Sequence, residues 1–238
     1  MHKVKFIFDV DGTLTPSRGR INDDFRLWFT NFTDTHEVYL VTGSDYSKTE
    51  EQIGSLLCHT VKRVYNCSGN SVWEQGKEVY RTDWTLPSDA ETWLNDILRR
   101  SIFPLRTGLH IEHRPGMVNF SVVGRNANAG QRAEYVLWDN KQNERNEIAQ
   151  EFNYLFPELQ ANVGGETGLD IGPKGSDKAQ ILKDFGYWDH INFYGDAMFE
   201  GGNDFPLAVA LVNGKYTNGF ADRVTGWKDT WEKLKAVG

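Results

Sequence analysis

Short apolar runs recur along the chain, separated by polar stretches with helical spacing. Lys3 to Phe8, Val38 to Val41, Arg63 to Asn66, Ile191 to Tyr194 and Ala208 to Val212 are four to six residues long. Each is rich in β-branched or aromatic residues and predicts a buried strand. Between them, Asn22 to Phe32, Tyr46 to Leu57 and Lys178 to Phe185 predict helices. Strand and helix in alternation predict an α/β fold, a doubly wound parallel sheet of the Rossmann type. Ligands of such sheets bind beyond the carboxyl ends of the strands, so acidic residues just after strands are the ones to collect.

The middle of the chain has a different rhythm. A polar helix is predicted over Ser88 to Arg100, then two strands, Leu109 to Arg114 and Met117 to Val123, joined by Pro115-Gly116 as a hairpin. A long charged helix, Gly130 to Phe156, and short strands near Ala161 and Leu169 follow. This predicts an α+β domain, an antiparallel sheet with helices on one face, at 82–173, inserted into a core formed by 1–81 and 174–238.

Composition removes several function classes. With 238 residues the chain can bury a substantial core. A net charge of -7 and a pI near 5.4 offer no basic footprint for nucleic acid. No apolar stretch approaches a membrane span, and no signal-peptide pattern precedes the first strand, so no membrane partner and a cytoplasmic location are expected. Cys58 and Cys67 stand in neither metal-binding nor redox spacing and are expected to be free thiols.

The chemistry is concentrated in Phe8-Asp9-Val10-Asp11-Gly12-Thr13-Leu14-Thr15-Pro16. Residues two apart on a strand share a side, so extended geometry through Asp11 would aim both carboxylates at one small volume. Their repulsion calls for a divalent cation, Mg2+, which also lets a carboxylate approach a phosphate. One Asp is then nucleophile and the other proton donor. Gly12 permits the turn, and Thr13 adds a hydroxyl and an N–H for phosphate. A calcium loop is the competing reading, but it needs a closing Glu and flanking helices, and this segment follows a strand.

Other groups could join the site. Thr42-Gly43-Ser44-Asp45 links a strand to a helix, where hydroxyls and N–H groups suit phosphate, although Ser44 or Asp45 could equally serve as a helix cap. Gly195-Asp196 ends another strand, and Asp204 follows on a Gly-rich loop, which together with Asp9 and the Asp11 carbonyl would complete an oxygen-rich Mg2+ site. Lys178 opens a helix after Gly175-Ser176-Asp177 and offers an ammonium. In the insertion, Arg114, Arg125 and Arg132 either grip a second phosphate or pair with Glu112 or Glu134; the pattern leaves both open.

Taken together these segments resemble the eukaryotic-type phosphomannomutases of the haloacid dehalogenase (HAD) superfamily, over nearly the whole chain. The carriers are Phe8 to Pro16 with Arg18, Thr42 to Tyr46, Ile111 to Asn119, Val123-Gly124-Arg125 with Arg132, Ser176-Asp177-Lys178, and Gly195-Asp196 with Gly201 to Phe205. The resemblance implies a HAD-like core with Asp9 as phosphorylated nucleophile and Asp11 as general acid/base. It implies Mg2+ on Asp9, Asp11 (through its carbonyl) and Asp196, with Asp204 in support. Thr42, Gly43, Ser44 and Lys178 would hold the transferring phosphate, and Arg18, Arg114, Arg125, Arg132, Gly168 and Asp170 fall on the sugar-phosphate contacts. The implied reaction interconverts mannose 6-phosphate and mannose 1-phosphate, with hexose 1,6-bisphosphate as activator. Small hexose phosphates are the implied partners, together with a homodimer formed through the cap. Two departures stand out: Gly168 replaces the usual serine, and Ala210 to Asp222 with the Trp227 and Trp231 tail follows no family pattern. A Mg2+-dependent sugar-phosphate phosphatase on the same scaffold is the alternative reading.

Overall fold

A computed structural model describes residues 4–213 and 218–237. The chain divides into two compact units, one of residues 1–81 and 177–238, the other of residues 82–176.

The first unit is built on a seven-stranded sheet. Five strands are parallel: β1 (Val4–Phe8), β2 (Glu37–Val41), β3 (Arg63–Asn66), β10 (His190–Gly195) and β11 (Asn218–Arg223). The hairpin β4 (Ser71–Glu74) and β5 (Lys77–Arg81) adds an antiparallel edge, so the order is β11-β10-β1-β2-β3-β4-β5. The inner strands are mostly apolar because both their faces are covered, whereas the edge strand β5 is exposed along its whole length. On one face Phe6, Phe8, Val38, Leu40 and Val64 pack against α1 (Asp23–Thr35), α2 (Tyr46–Ile53), α3 (Ser55–Thr60) and α8 (Trp227–Lys235). On the other, Ile7, Val41, Tyr65 and Phe193 meet α7 (Phe205–Val212) and a 3-10 segment, Lys178–Asp184.

The second unit is a four-stranded antiparallel sheet, β6 (Ile111–Arg114), β7 (Met117–Phe120), β8 (Leu159–Gly164) and β9 (Gly168–Pro173), in the order β6-β7-β9-β8. Ile111, Val118, Phe120, Ala161, Leu169 and Ile171 bury one face beneath α4 (Ser88–Arg100), α5 (Ala129–Gln142) and α6 (Glu144–Leu155). The register aligns Glu112, Asn119, Asp170 and Asn162 across the four strands. Residues opposite one another share a face, so the side away from the helices carries a polar row.

Several elements differ from the sequence expectation. Ala208 to Val212 is part of helix α7, whose buried Leu207, Ala208 and Leu211 follow a helical period, and Pro206 stands in its first turn. A short apolar run fits either element, and only packing decides. The outer parallel strand is β11 instead; of the 210–222 stretch, residues 214–217 lie outside the described residues, as does Lys3. The helix expected over Tyr46 to Leu57 breaks at Gly54 (φ 88°), and that over Gly130 to Phe156 breaks at Asn143 in the left-handed region (φ 57°). The segment from Lys178 is 3-10, and β4 and β5 had no strand predicted.

Candidate active site

The turn after β1 is shaped by hydrogen bonds within it. Asp9 N–H donates to the Tyr194 carbonyl at 2.9 Å, continuing the ladder to β10, and the chain then turns as Leu14 and Thr15 N–H donate to the Val10 carbonyl. Gly12 has φ 77°, and a Cβ there would lie 2.4 Å from Asp196 Oδ2. Only glycine supplies both that backbone and that space.

Three carboxylates converge at this sheet end. Asp9, Asp196 and Asp204 place oxygens within 4.8 Å of one another. Lys178, fully buried, donates to Asp9 Oδ1 at 2.5 Å and to Asp204 Oδ1 at 2.7 Å. Asp204 Oδ2 also accepts from Ala197 N at 3.0 Å, so both its oxygens are engaged. Burial opposes the lysine charge, but Asp204 and Asp9 outweigh it and hold the ammonium protonated well above its usual range. Burial, partly offset by Lys178, pushes the Asp9 carboxyl up. Burial and the charge of Asp204 push Asp196 up to about 7.

This donor set fits a divalent cation. Lys178 compensates one of the three carboxylate charges, leaving two. Hard oxygen ligands suit Mg2+. Asp9 and Asp196 would hold the ion, with Asp204 steadying Lys178.

Asp11 does not belong to the three-carboxylate group. The extended geometry stops at the turn, so its carboxylate does not join Asp9. Its Oδ1 accepts from Arg18 N at 2.5 Å and Gln52 Nε2 at 2.9 Å, and its Oδ2 from Ser44 Oγ at 3.3 Å. Arg18 sits in the left-handed region (φ 54°), which aims its N–H at this oxygen.

Thr42, Gly43 and Ser44 follow β2. Ser44 N donates to Thr42 Oγ1 at 3.1 Å, while Cys67 N and Ser68 N donate to the carbonyls of Ser44 and Thr42 at 3.0 and 2.8 Å. Asp45 is the cap of α2, accepting from Lys48 N at 2.8 Å, so Ser44 remains directed at Asp11.

The second unit carries the remaining candidates. Glu112 pairs with both Arg114 and Arg125, the latter at 2.7 Å. Burial would raise this carboxyl, but the two guanidinium groups hold it below its ordinary value. Arg132 pairs with Glu166 at 3.2 Å, so its partner is not the neighbouring Glu134. Asp170 accepts from Asn119 Nδ2 at 2.8 Å, and a Cβ on Gly168 would lie 2.8 Å from that nitrogen. The missing side chain at 168 is the space the Asn119 carboxamide uses.

Two contributors went unrecognised in the sequence. Gln52 lay inside a predicted helix with nothing to mark it, and Thr230 lay in the unfamiliar tail. Thr230 Oγ1 donates to the Thr13 carbonyl at 2.7 Å, so α8 braces the Asp9 loop. Only the fold reveals that contact across more than two hundred residues. Thr13 N–H, expected to face phosphate, instead donates to the Val10 carbonyl at 3.3 Å.

Comparisons with known proteins identify the family and the fold. A family model described as eukaryotic phosphomannomutase matches residues 26–237. A phosphomannomutase of Arabidopsis thaliana is 31% identical over 97% of this chain and 95% of its own. One from Saccharomyces cerevisiae is 30% identical, covering 85% of this chain and 84% of its own. Among solved structures, a haloacid dehalogenase-like hydrolase from Bacteroides thetaiotaomicron superposes with a TM-score of 0.57 at 14% identity, all of both chains covered. An IMP-bound IMP-nucleotidase of Plasmodium falciparum gives 0.59 at 17% identity, covering 99% of this chain and 68% of its own. At such identities the structural likeness shows the HAD-like fold alone.

Proposed function

This chain belongs to the eukaryotic phosphomannomutase family of the HAD superfamily, and from that premise we propose that it interconverts mannose 6-phosphate and mannose 1-phosphate through a phosphorylated Asp9. The observation that carries the reading is the division of labour between two carboxylates two residues apart. Asp9 is held by the buried Lys178 ammonium within the acidic group, whereas Asp11 is held by neutral donors outside it.

Lys178 occupies Asp9 Oδ1, so Oδ2 is the oxygen presented to phosphorus. Attack forms the Asp9 O–P bond and breaks the bond from phosphorus to the sugar oxygen, which takes a proton from Asp11. In the return step Asp11 removes the proton of the accepting hydroxyl, whose oxygen takes the phosphoryl group from Asp9. A bound Mg2+ supplies charge neutralisation for the phosphoryl oxygens. Lys178 and the turn at Thr42 to Ser44 hold the transferring group. In the second unit Arg114, Arg125, Arg132 and Asp170 are the proposed sugar-phosphate contacts, since guanidinium forks match phosphate geometry, and Arg18 is the one proposed in the first. Each phosphate must be served in turn, so hexose 1,6-bisphosphate is both intermediate and activator. The same reading makes small hexose phosphates the partners, and includes a cytoplasmic location and a homodimer through the 82–173 region.

Phosphorus NMR of mannose 1-phosphate with Mg2+ and a trace of glucose 1,6-bisphosphate tests this. Conversion to mannose 6-phosphate without accumulating phosphate is expected. Free phosphate as main product would make the protein a sugar-phosphate phosphatase.

A further inference from the structure

We infer that Gln52 is a positioning residue for Asp11, fixing which carboxylate oxygen exchanges a proton with the sugar; the inference rests on the phosphoryl-transfer reading above. Gln52 lies on the buried face of α2 with 1% of its surface exposed. Its Nε2 reaches Asp11 Oδ1 at 2.9 Å, Thr15 Oγ1 at 3.2 Å and the Gly19 carbonyl at 3.3 Å. Its backbone carbonyl accepts from Ile21 N at 2.8 Å. One side chain thus ties the acid, the end of the Asp9 loop and the segment bearing Arg18 to the helix that begins beside Thr42 to Ser44.

The orientation of the amide is the informative feature. All three acceptors lie at its nitrogen, while Oε1 is buried with no hydrogen-bond partner among the described residues. A buried polar atom left unpaired is costly, and an apolar side chain of the same length would avoid that cost. The amide is therefore held here for what its N–H groups do.

What they do follows from the carboxylate. The terminal torsion of an Asp side chain is broad, so unrestrained it would present either oxygen, or neither, to the sugar. Gln52 and Arg18 N both donate to Oδ1, whereas among the described residues Oδ2 has only the longer contact from Ser44 Oγ at 3.3 Å. Oδ2 is then the oxygen that carries the proton. When the Asp9 O–P bond forms and the bond from phosphorus to the sugar oxygen breaks, the proton leaves Oδ2 for that oxygen. On return, Oδ2 takes the proton of the attacking hydroxyl.

The test is Gln52→Met, of similar length and without the amide. Turnover of mannose 1-phosphate should fall in kcat by about a hundredfold, the scale for a misplaced catalytic group, with KM changed by less than about threefold. The alkoxide leaving group of the sugar needs a proton, whereas 4-nitrophenolate departs without one. The ratio of kcat/KM for mannose 1-phosphate to that for 4-nitrophenyl phosphate should therefore fall with the substitution. An unchanged kcat, a loss carried by KM, or an equal loss on both substrates would overturn the inference. Gln52→Asn, which withdraws the amide by one methylene, is read by the same ratio if the methionine variant does not fold. Absence of mannose 1-phosphate turnover in the unsubstituted protein would instead refute the underlying reading.

Discussion

Replacing Lys178 by methionine tests the electrostatic design of the site most directly. The ammonium is fully buried between two carboxylates whose side chains are 5% and 0% exposed, so solvent screening does not discount the interaction. Removing one partner of a buried ion pair costs about 3–5 kcal/mol, because the other charge stays buried and unpaired. The variant can limit the loss by protonating a carboxylate. With an ordinary value of about 3.9, that costs about 5 kcal/mol at about pH 7.5 and about 2.7 kcal/mol less at about pH 5.5. The lysine itself stays charged throughout this window, since its protonation is held above the usual range. Urea unfolding of both proteins at the two pH values should show a loss of about 3–5 kcal/mol at the higher pH, shrinking by about 2–3 kcal/mol at the lower. A loss below about 1 kcal/mol at about pH 7.5, or one independent of pH, would refute the claim that Lys178 compensates buried charge.

Mg2+ binding should compete with a proton on Asp196, whose carboxyl is pushed up to about 7 by burial and by Asp204. Because its folded value lies above its unfolded one, this group stabilises the metal-free protein at low pH and the stability is lost as pH rises towards 7. The melting-temperature gain from a fixed Mg2+ concentration should accordingly increase from about pH 6 to about pH 8, and a gain that does not vary would contradict this. Gly12→Ala places a Cβ 2.4 Å from Asp196 Oδ2 at φ 77°, so the same thermal assay should lose most of its Mg2+ response; a full response would show that Asp196 can move aside. Thr230→Val leaves the buried Thr13 carbonyl without its donor and should cost about 1–3 kcal/mol in urea unfolding. Thr230→Ser, which keeps the hydroxyl, should recover most of that, and a valine variant as stable as the unsubstituted protein would show that the bond contributes nothing.

The strand β1 and the order of elements around it were legible because strands buried on both faces must be apolar throughout, and their turns must be polar. Val38 to Val41 and Ile191 to Tyr194 lie within strands largely for that reason, Arg63 to Asn66 is a strand despite its polar ends, and α4 spans the residues its pattern predicts. Ala208 to Val212 misled because five apolar residues suit a buried helix as well as a strand. The breaks at Gly54 and Asn143 were local backbone choices that helical periodicity passes over.

The sequence by itself determined which residue types could do phosphoryl chemistry and on which strand ends they would stand. Those properties follow from local spacing and turn preferences, which each segment carries alone. Partnership was decided only in three dimensions. Lys178 lies 169 positions from Asp9, and nothing near either one specifies that the ammonium is buried against it. Asp11 parts from Asp9 because hydrogen bonds within the loop end the extended geometry, and Gln52 reaches Asp11 only because α2 packs against that loop. Charge compensation and hydrogen bonding act over a few ångströms of space regardless of separation along the chain, so these relations belong to the tertiary structure.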